Sequence, residues 1–370
     1  MQTALQRVGT VALLAVLPVI TAVTMFAVAS SDGSLSVDFQ NELYPEAERL
    51  LRWENPFPPP GTDLSHGHNL IWPPLAALVA APFTLLSPEA ANWAIALVGL
   101  GCFMASLRLV GVRDWRVYGV FALWPQVIGE IRVSHLTPFL CLLLALVWRY
   151  REARAVPGLA LGCATAIKFF LWPLGIWLAA IGRGREALIA AGVAAASLLL
   201  VLPFTGLHDY FEVLLDLGRT FGTDSYSPFG LLSQLHVPEA PARVVSVALG
   251  VALLIGCWRR ASLGLAVAAA LVLSPIVWLD YFAVAAIPLA IVRPRLSAVW
   301  FAPLVTWGLL NAGIGAATVW GGLRVLLAFA VVILVTVRAE RETETRGEEN
   351  CPATPSEVPR MDSTPKPSTG

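Results

Sequence analysis

Apolar runs separated by short polar connections occupy most of the first 338 positions of this 370-residue chain. The first run, Val11 to Ala29, follows Arg7 and ends in Ala27-Val28-Ala29, which looks like a signal-peptidase site. Its 19 residues exceed the roughly 7–15 of a cleavable signal's apolar core, so it reads as an uncleaved first span. Further apolar segments run roughly 71–86, 89–107, 116–128, 135–148, 156–167, 169–181, 186–203, 239–257, 261–273, 279–292, 297–313 and 318–337. The runs are continuous and lack the period-two alternation of a spanning β-strand. The predicted fold is therefore all-α, a polytopic transmembrane protein of about 11–13 membrane segments. Several segments are shorter than the ~20 residues a span needs, and Pro73, Pro74, Pro125, Pro138 and Pro173 sit near their ends. Short or broken helices at membrane depth are tolerated only beside protein or a water-filled cavity. The pattern thus predicts an intramembrane cavity.

Two polar stretches interrupt this plan. Residues 31–69 hold seven acidic residues and two Arg. Within them Phe39, Leu43, Ala47, Leu50 and Leu51 recur at helical spacing, with Glu42, Glu46, Glu48, Arg49 and Arg52 opposite. That predicts short amphipathic helices on the membrane surface, divided at Pro45. Asn55 to Gly61, with four prolines, is a stiff extended connector. The tail from Ala339 to Gly370 has five prolines, 11 charged residues and no aromatic side chain, so it is expected to be disordered. The predicted division is a membrane domain over 1–338, carrying the outer loop 31–69, and a cytoplasmic tail over 339–370.

Composition agrees. Hydrophobic residues make up 57% of the chain and charged ones 14%, against about 45–50% and roughly 25% in soluble domains. This excludes a soluble enzyme, a disordered scaffold and a nucleic-acid binder. Net charge is zero, from 25 basic and 25 acidic residues. Clusters at Arg108/Arg113/Arg116, Arg149/Arg151/Arg154, Arg183/Arg185, Arg259/Arg260, Arg293/Arg295 and Arg338/Arg341 mark the cytoplasmic side by the positive-inside rule. The 31–69 loop, the 129–137 turn, the Lys168 turn, the 204–238 stretch and the 274–281 turn then face outward. An outer 31–69 and an inner Arg108 require an odd number of crossings, yet two segments lie between them. Either 71–86 is re-entrant or one Arg cluster breaks the rule.

The candidate chemistry lies in those outward turns. Asp38 follows the first span by about eight residues, and a shielded carboxylate there can act as general base toward a hydroxyl; the alternative is a solvated loop acid. Lys168 is the one lysine before the tail and interrupts an apolar run. A cation inside a membrane segment is a functional candidate by default, here for a phosphate, with a lysine snorkelling to lipid head groups as the alternative. Arg132 and His135 share one turn; Trp278, Asp280 and Tyr281 share another, where Trp and Tyr also serve as interfacial belt residues. His66 and His68 flank Gly67 with no third ligand nearby, so no metal site is expected. The five cysteines lie far apart, four within apolar runs, and read as small core residues.

Taken in order, Asp38, then Trp72-Pro73-Pro74-Leu75, Ser134-His135-Leu136-Thr137, Ala166-Ile167-Lys168 leading to Trp172-Pro173, and Ser274-Pro275-x-x-Trp278-x-Asp280-Tyr281 form a series. It resembles glycosyltransferase family 87, the polyprenyl-phosphate-mannose-dependent membrane transferases with the C-type glycosyltransferase fold. The resemblance covers roughly residues 30–292. It implies an inverting, metal-independent transferase without a cofactor, in a plasma membrane, with both chain termini cytoplasmic and the active site on the periplasmic or extracellular side. A sugar, mannose in the first instance, would pass from a polyprenyl-phosphate donor to a hydroxyl of a glycolipid or glycan acceptor. Asp38 would be the base. Lys168, with Arg132 or His135, would meet the donor phosphate, and Trp72, Trp278, Asp280 and Tyr281 would line the substrate site. The chain departs from the family's pattern where Ser134-His135-Leu136-Thr137 replaces Gly-Gln-x-Asn, and where Asp280 replaces His. A lipid-linked sugar flippase and a non-catalytic envelope scaffold are the rival readings; neither needs a base on the outer loop.

Overall fold

The computed structural model describes residues 4–64, 72–310 and 317–349, and every regular element among them is helical. The fold is all-α, as the apolar runs predict. Four helices are long and apolar enough to cross a membrane: Gln6–Ser31, Pro88–Leu109, Glu239–Arg260 and Val319–Glu342. Their outer faces show why lipid is the right solvent. Val19, Ile20 and Val23 on the first, and Val244, Val247 and Leu249 on the third, are exposed apolar side chains, a surface that water would penalise. Among the described residues seven shorter apolar helices of 10–17 residues pack with them. At 1.5 Å per residue, the 12 residues of Phe169–Ala180 reach only about 18 Å of a ~30 Å hydrocarbon layer.

Three short helices define two ends of the molecule. Thr137–Arg149 begins beside His135 and finishes in Arg149. Val156–Ile167 starts after Arg154 and ends at Lys168, and Leu279–Val292 runs from Asp280 to Arg293. Chemistry therefore gathers at one end and arginine at the other. Contacts between connections hold the arginine end together: Arg183 pairs with Glu152, Leu296 N–H donates to Asp114 at 3.0 Å, and Trp177 Nε1 donates to Ala261 O at 2.9 Å.

The parity problem in the sequence resolves at Pro74–Leu85. Before this helix, Trp72 Nε1 donates to Glu42 at 2.8 Å. After it, Leu86 O accepts from Tyr44 Oη at 3.1 Å. Both ends of the 74–85 segment are thus fastened to residues 42–44, the arrangement the re-entrant alternative calls for. Pro88–Leu109 then leads on to Arg108.

Two expectations need correction. Pro45 does not divide the outer loop: Phe39–Leu43 is a π-turn continuous with Tyr44–Leu51, and Tyr44 N–H reaches Phe39 O. Pro45 sits in the first turn of the second piece, where its missing N–H is tolerated. Glu42 and Glu46 do not face solvent; both are buried with Phe39, Leu43 and Ala47. The last helix runs on past Ala339, to Glu349. Glu340 accepts from Ser262 Oγ and from Gly264 N–H, closing the N-terminus of Leu263–Leu273. The 204–238 stretch also contains two helices, Leu207–Phe221 and Pro228–Gln234.

Candidate active site

Two strained turns present the candidate residues. Ser36 (φ 54°) precedes Asp38, while Ser134 (φ 54°) and Leu136 (φ 64°) flank His135. Non-glycine residues in this left-handed region each cost on the order of 1–3 kcal/mol unless the surroundings hold them. Here they are held. Ser36 Oγ and Ser134 Oγ are 2.8 Å apart, Ser36 N–H donates to Ile131 O at 3.2 Å, and Ser36 Oγ donates to Asn92 O at 3.0 Å. The turn carrying Asp38 is thereby bonded to the turn carrying His135.

Asp38 lies against His135 Nε2, with about a fifth of its side chain exposed. The other ring nitrogen, Nδ1, is 3.2 Å from Asp280 Oδ1, and Thr137 Oγ1 donates to Asp280 Oδ2 at 2.6 Å. The two positions at which the motifs depart from the family pattern are therefore in direct contact. Each departure supplies the other's hydrogen-bond partner.

Lys168 occupies the break between Val156–Ile167 and Phe169–Leu171, in extended conformation. Its Nζ is buried and has no hydrogen-bond partner among the described residues. It lies 3.7 Å from the centre of the Tyr281 ring and 4.7 Å from that of Trp72. Ring faces attract a cation but leave its three N–H donors unspent. Phe170 stacks on Tyr281 at 5.1 Å and fixes that ring. A cavity of about 240 Å³ opens beside them, lined by Trp72, His135, Lys168, Trp278 and Tyr281 among others. Its remaining wall is apolar, with Phe169, Trp172, Leu214 and Phe221 contributing.

Of the residues singled out in the sequence, Asp38, Trp72, His135, Lys168, Trp278, Asp280 and Tyr281 converge here. Arg132 does not join them. Its Nε donates to Ser34 Oγ at 3.1 Å and its guanidinium is 3.8 Å from Asp32. Two helical positions are about 200° apart, so Arg132 faces away from buried Glu130. His66 and His68 lie outside the described residues, as does Cys351. The other four cysteines are free thiols, two of them fully buried.

Glu42, the alternative base should Asp38 not serve, and Glu130, which was not foreseen as a site residue, belong to the same surroundings. Trp72 binds Glu42, as above. Glu130 is buried, with Oε2 unpartnered among the described residues and Asp280, His135 and Lys168 close enough to act on it. An acid within a run as apolar as Val127-Ile128-Gly129-Glu130-Ile131 is a signal in itself.

This is a membrane-embedded all-α protein whose largely apolar cavity has an imidazole, itself paired with Asp38, and an unspent ammonium in its wall. The model of glycosyltransferase family 87 matches residues 70–279, more than half of the chain. The protein belongs to that family, and is a glycosyltransferase. No curated protein and no solved structure matches it.

Proposed function

We propose that this protein transfers one sugar from a polyprenyl-phosphate donor to a hydroxyl group of a glycolipid or glycan acceptor, on the outer face of the plasma membrane, with inversion. Mannose is the first candidate sugar and arabinofuranose the second, both by family resemblance. The observation that carries the reading is the buried, unpartnered Lys168 ammonium in the wall of the cavity. Burying a charge without a hydrogen-bonding partner is costly, and a phosphate would supply the missing acceptors. The apolar remainder of the wall suits the first isoprene units.

Asp38 takes the acceptor hydroxyl proton. The acceptor oxygen bonds to the anomeric carbon from the face opposite the phosphate, and the carbon–oxygen bond to phosphate breaks with its electron pair. Lys168 meets the charge that collects on the leaving phosphate. Trp72 and Tyr281 hold the ammonium in place.

The test is transfer of radiolabelled sugar from polyprenyl-phosphate-mannose by purified protein in nanodiscs. Asp38→Asn should lower the rate by about 10²–10⁴-fold with little change in donor affinity. Lys168→Met should weaken donor binding by about ten- to a hundred-and-fifty-fold, the equivalent of roughly 1.5–3 kcal/mol for a charged hydrogen bond. Lys168→Arg should restore it only in part, since a planar fork and a point charge do not hold phosphate alike. A flippase would bind donor and transfer nothing, whatever stands at position 38.

A further inference from the structure

We propose that His135 is a positioning residue for the base and not a ligand of the donor phosphate, and that Asp280 and Thr137 fix its imidazole for this task. The inference rests on the reading of Asp38 as base. Both ring nitrogens of His135 are committed to carboxylates, Nε2 to Asp38 and Nδ1 to Asp280. A carboxylate only accepts, so the ring satisfies both partners by donating from both nitrogens. Neither nitrogen is left for a donor oxygen. His135 lines the cavity with its ring centre 5.7 Å from that of Trp72 and 6.3 Å from that of Tyr281.

The chain holds this arrangement from behind. Thr137 Oγ1 occupies the second oxygen of Asp280, so Asp280 is fixed at both oxygens and in turn fixes the ring. Of the seven non-glycine residues with positive φ among the described residues, three are Ser36, Ser134 and Leu136, next to or within two residues of the pair. The Ser36–Ser134 hydrogen bond fastens the two turns together. Backbone strain of this kind persists where the surroundings over-determine it, and it concentrates at functional sites.

His135 therefore anchors Asp38 through Oδ2 and leaves Oδ1 to receive the acceptor proton. The acceptor oxygen then forms its bond to the anomeric carbon, and the phosphate departs with the electron pair of the bond that breaks. His135 gains and loses nothing in this sequence; it determines where Oδ1 points. The leaving phosphate is met by Lys168 without help from the imidazole.

A double-mutant cycle tests this, with wild type, Asp38→Asn, His135→Phe and the double variant compared in sugar transfer and, separately, in donor titration. His135→Phe should lower kcat by about 10²-fold, the penalty for a reacting group displaced by about an ångström, and leave donor Kd unchanged. The double variant should be no slower than Asp38→Asn alone, because a residue that acts through another adds no further loss once that other is gone. His135→Gln, which keeps one N–H toward Asp38, should recover part of kcat. A fall in donor affinity, or losses that multiply in the double variant, overturns the proposal. Should His135→Phe fail to fold, Asp280→Asn replaces it in the cycle. It frees the ring without emptying the space, and the same absence of additivity with Asp38→Asn is required. If the wild type transfers no sugar, the functional reading itself fails; transfer with additive losses removes only the role given to His135.

Discussion

Glu42 stands four residues beyond Asp38, outside the spans, with its carboxyl under the Trp72 indole. Burial first, and the neighbouring charge of Asp38 second, raise its pKa from an ordinary 4.5 to about 8. A carboxyl whose pKa is raised in the folded state favours folding while both states are protonated. That contribution is complete below pH 4.5 and is lost as the pH climbs through about 8. The melting temperature of the wild type in detergent should therefore fall across this interval more steeply than that of Glu42→Gln. The glutamine variant keeps an acceptor for Trp72 and has no proton to lose. Parallel curves for the two proteins would show that Glu42 does not ionise in this range. Its position was hidden in the sequence. At 100° per residue Glu42 and Glu46 lie only about 60° and 20° from Phe39, at the edge of the apolar stripe, and their polarity alone assigned them to the outer face. Lys168, by contrast, was legible because a lone cation in an apolar run needs no geometry to stand out.

Helices in this bundle approach closely where glycine permits it. On Val156–Ile167 an added Cβ at Gly158 would lie 2.5 Å from Glu186 O, and one at Gly162 would lie 2.5 Å from Val193 Cβ. Both neighbours belong to Gly184–Leu198. Small residues four apart form a flat stripe, and packing rather than hydrophobicity drives helix association in lipid. Gly158→Ala should force the two helices apart, because the obstacle is backbone and cannot rotate away. The expected cost is about 1–3 kcal/mol, as for other overpacked sites, read as a lower melting temperature. Gly175→Ala is the control, with open space around its Cβ. Equal stability of the two variants would show that the stripe is not a contact. Many segment limits were legible, since apolar runs and their prolines mark helix ends directly, but the 116–128 run is two helices, Trp115–Ala122 and Pro125–Val133. Whether a segment crosses or returns was not legible. At Pro74–Leu85 that depended on Glu42 accepting from Trp72 and on Tyr44 donating to Leu86 O, contacts 30 and 42 positions apart in the chain.

Across the whole molecule the distribution of charge sets the orientation. The Arg-bearing connections meet at one end through Arg183–Glu152, Asp114–Leu296 and Ser262–Glu340, and Asp38, His135, Lys168 and Asp280 meet at the other. Arginine in short connections is retained on the cytoplasmic side, and on that rule the proposed function sets the site end outside. The sequence carried this asymmetry in full, because the rule counts residues and needs no contacts. The convergence of the 135, 168 and 280 turns on one cavity required the fold. Glu54, exposed at the site end, and Glu152, exposed at the arginine end, report the orientation when each is replaced by cysteine in a protein stripped of its five native cysteines. In intact cells a membrane-impermeant maleimide should label Glu54→Cys and reach Glu152→Cys only after permeabilisation. The reverse pattern would put the cavity in the cytoplasm. A donor displayed on the outer leaflet could not then reach Lys168, and the acceptor would have to be sought on the inner face.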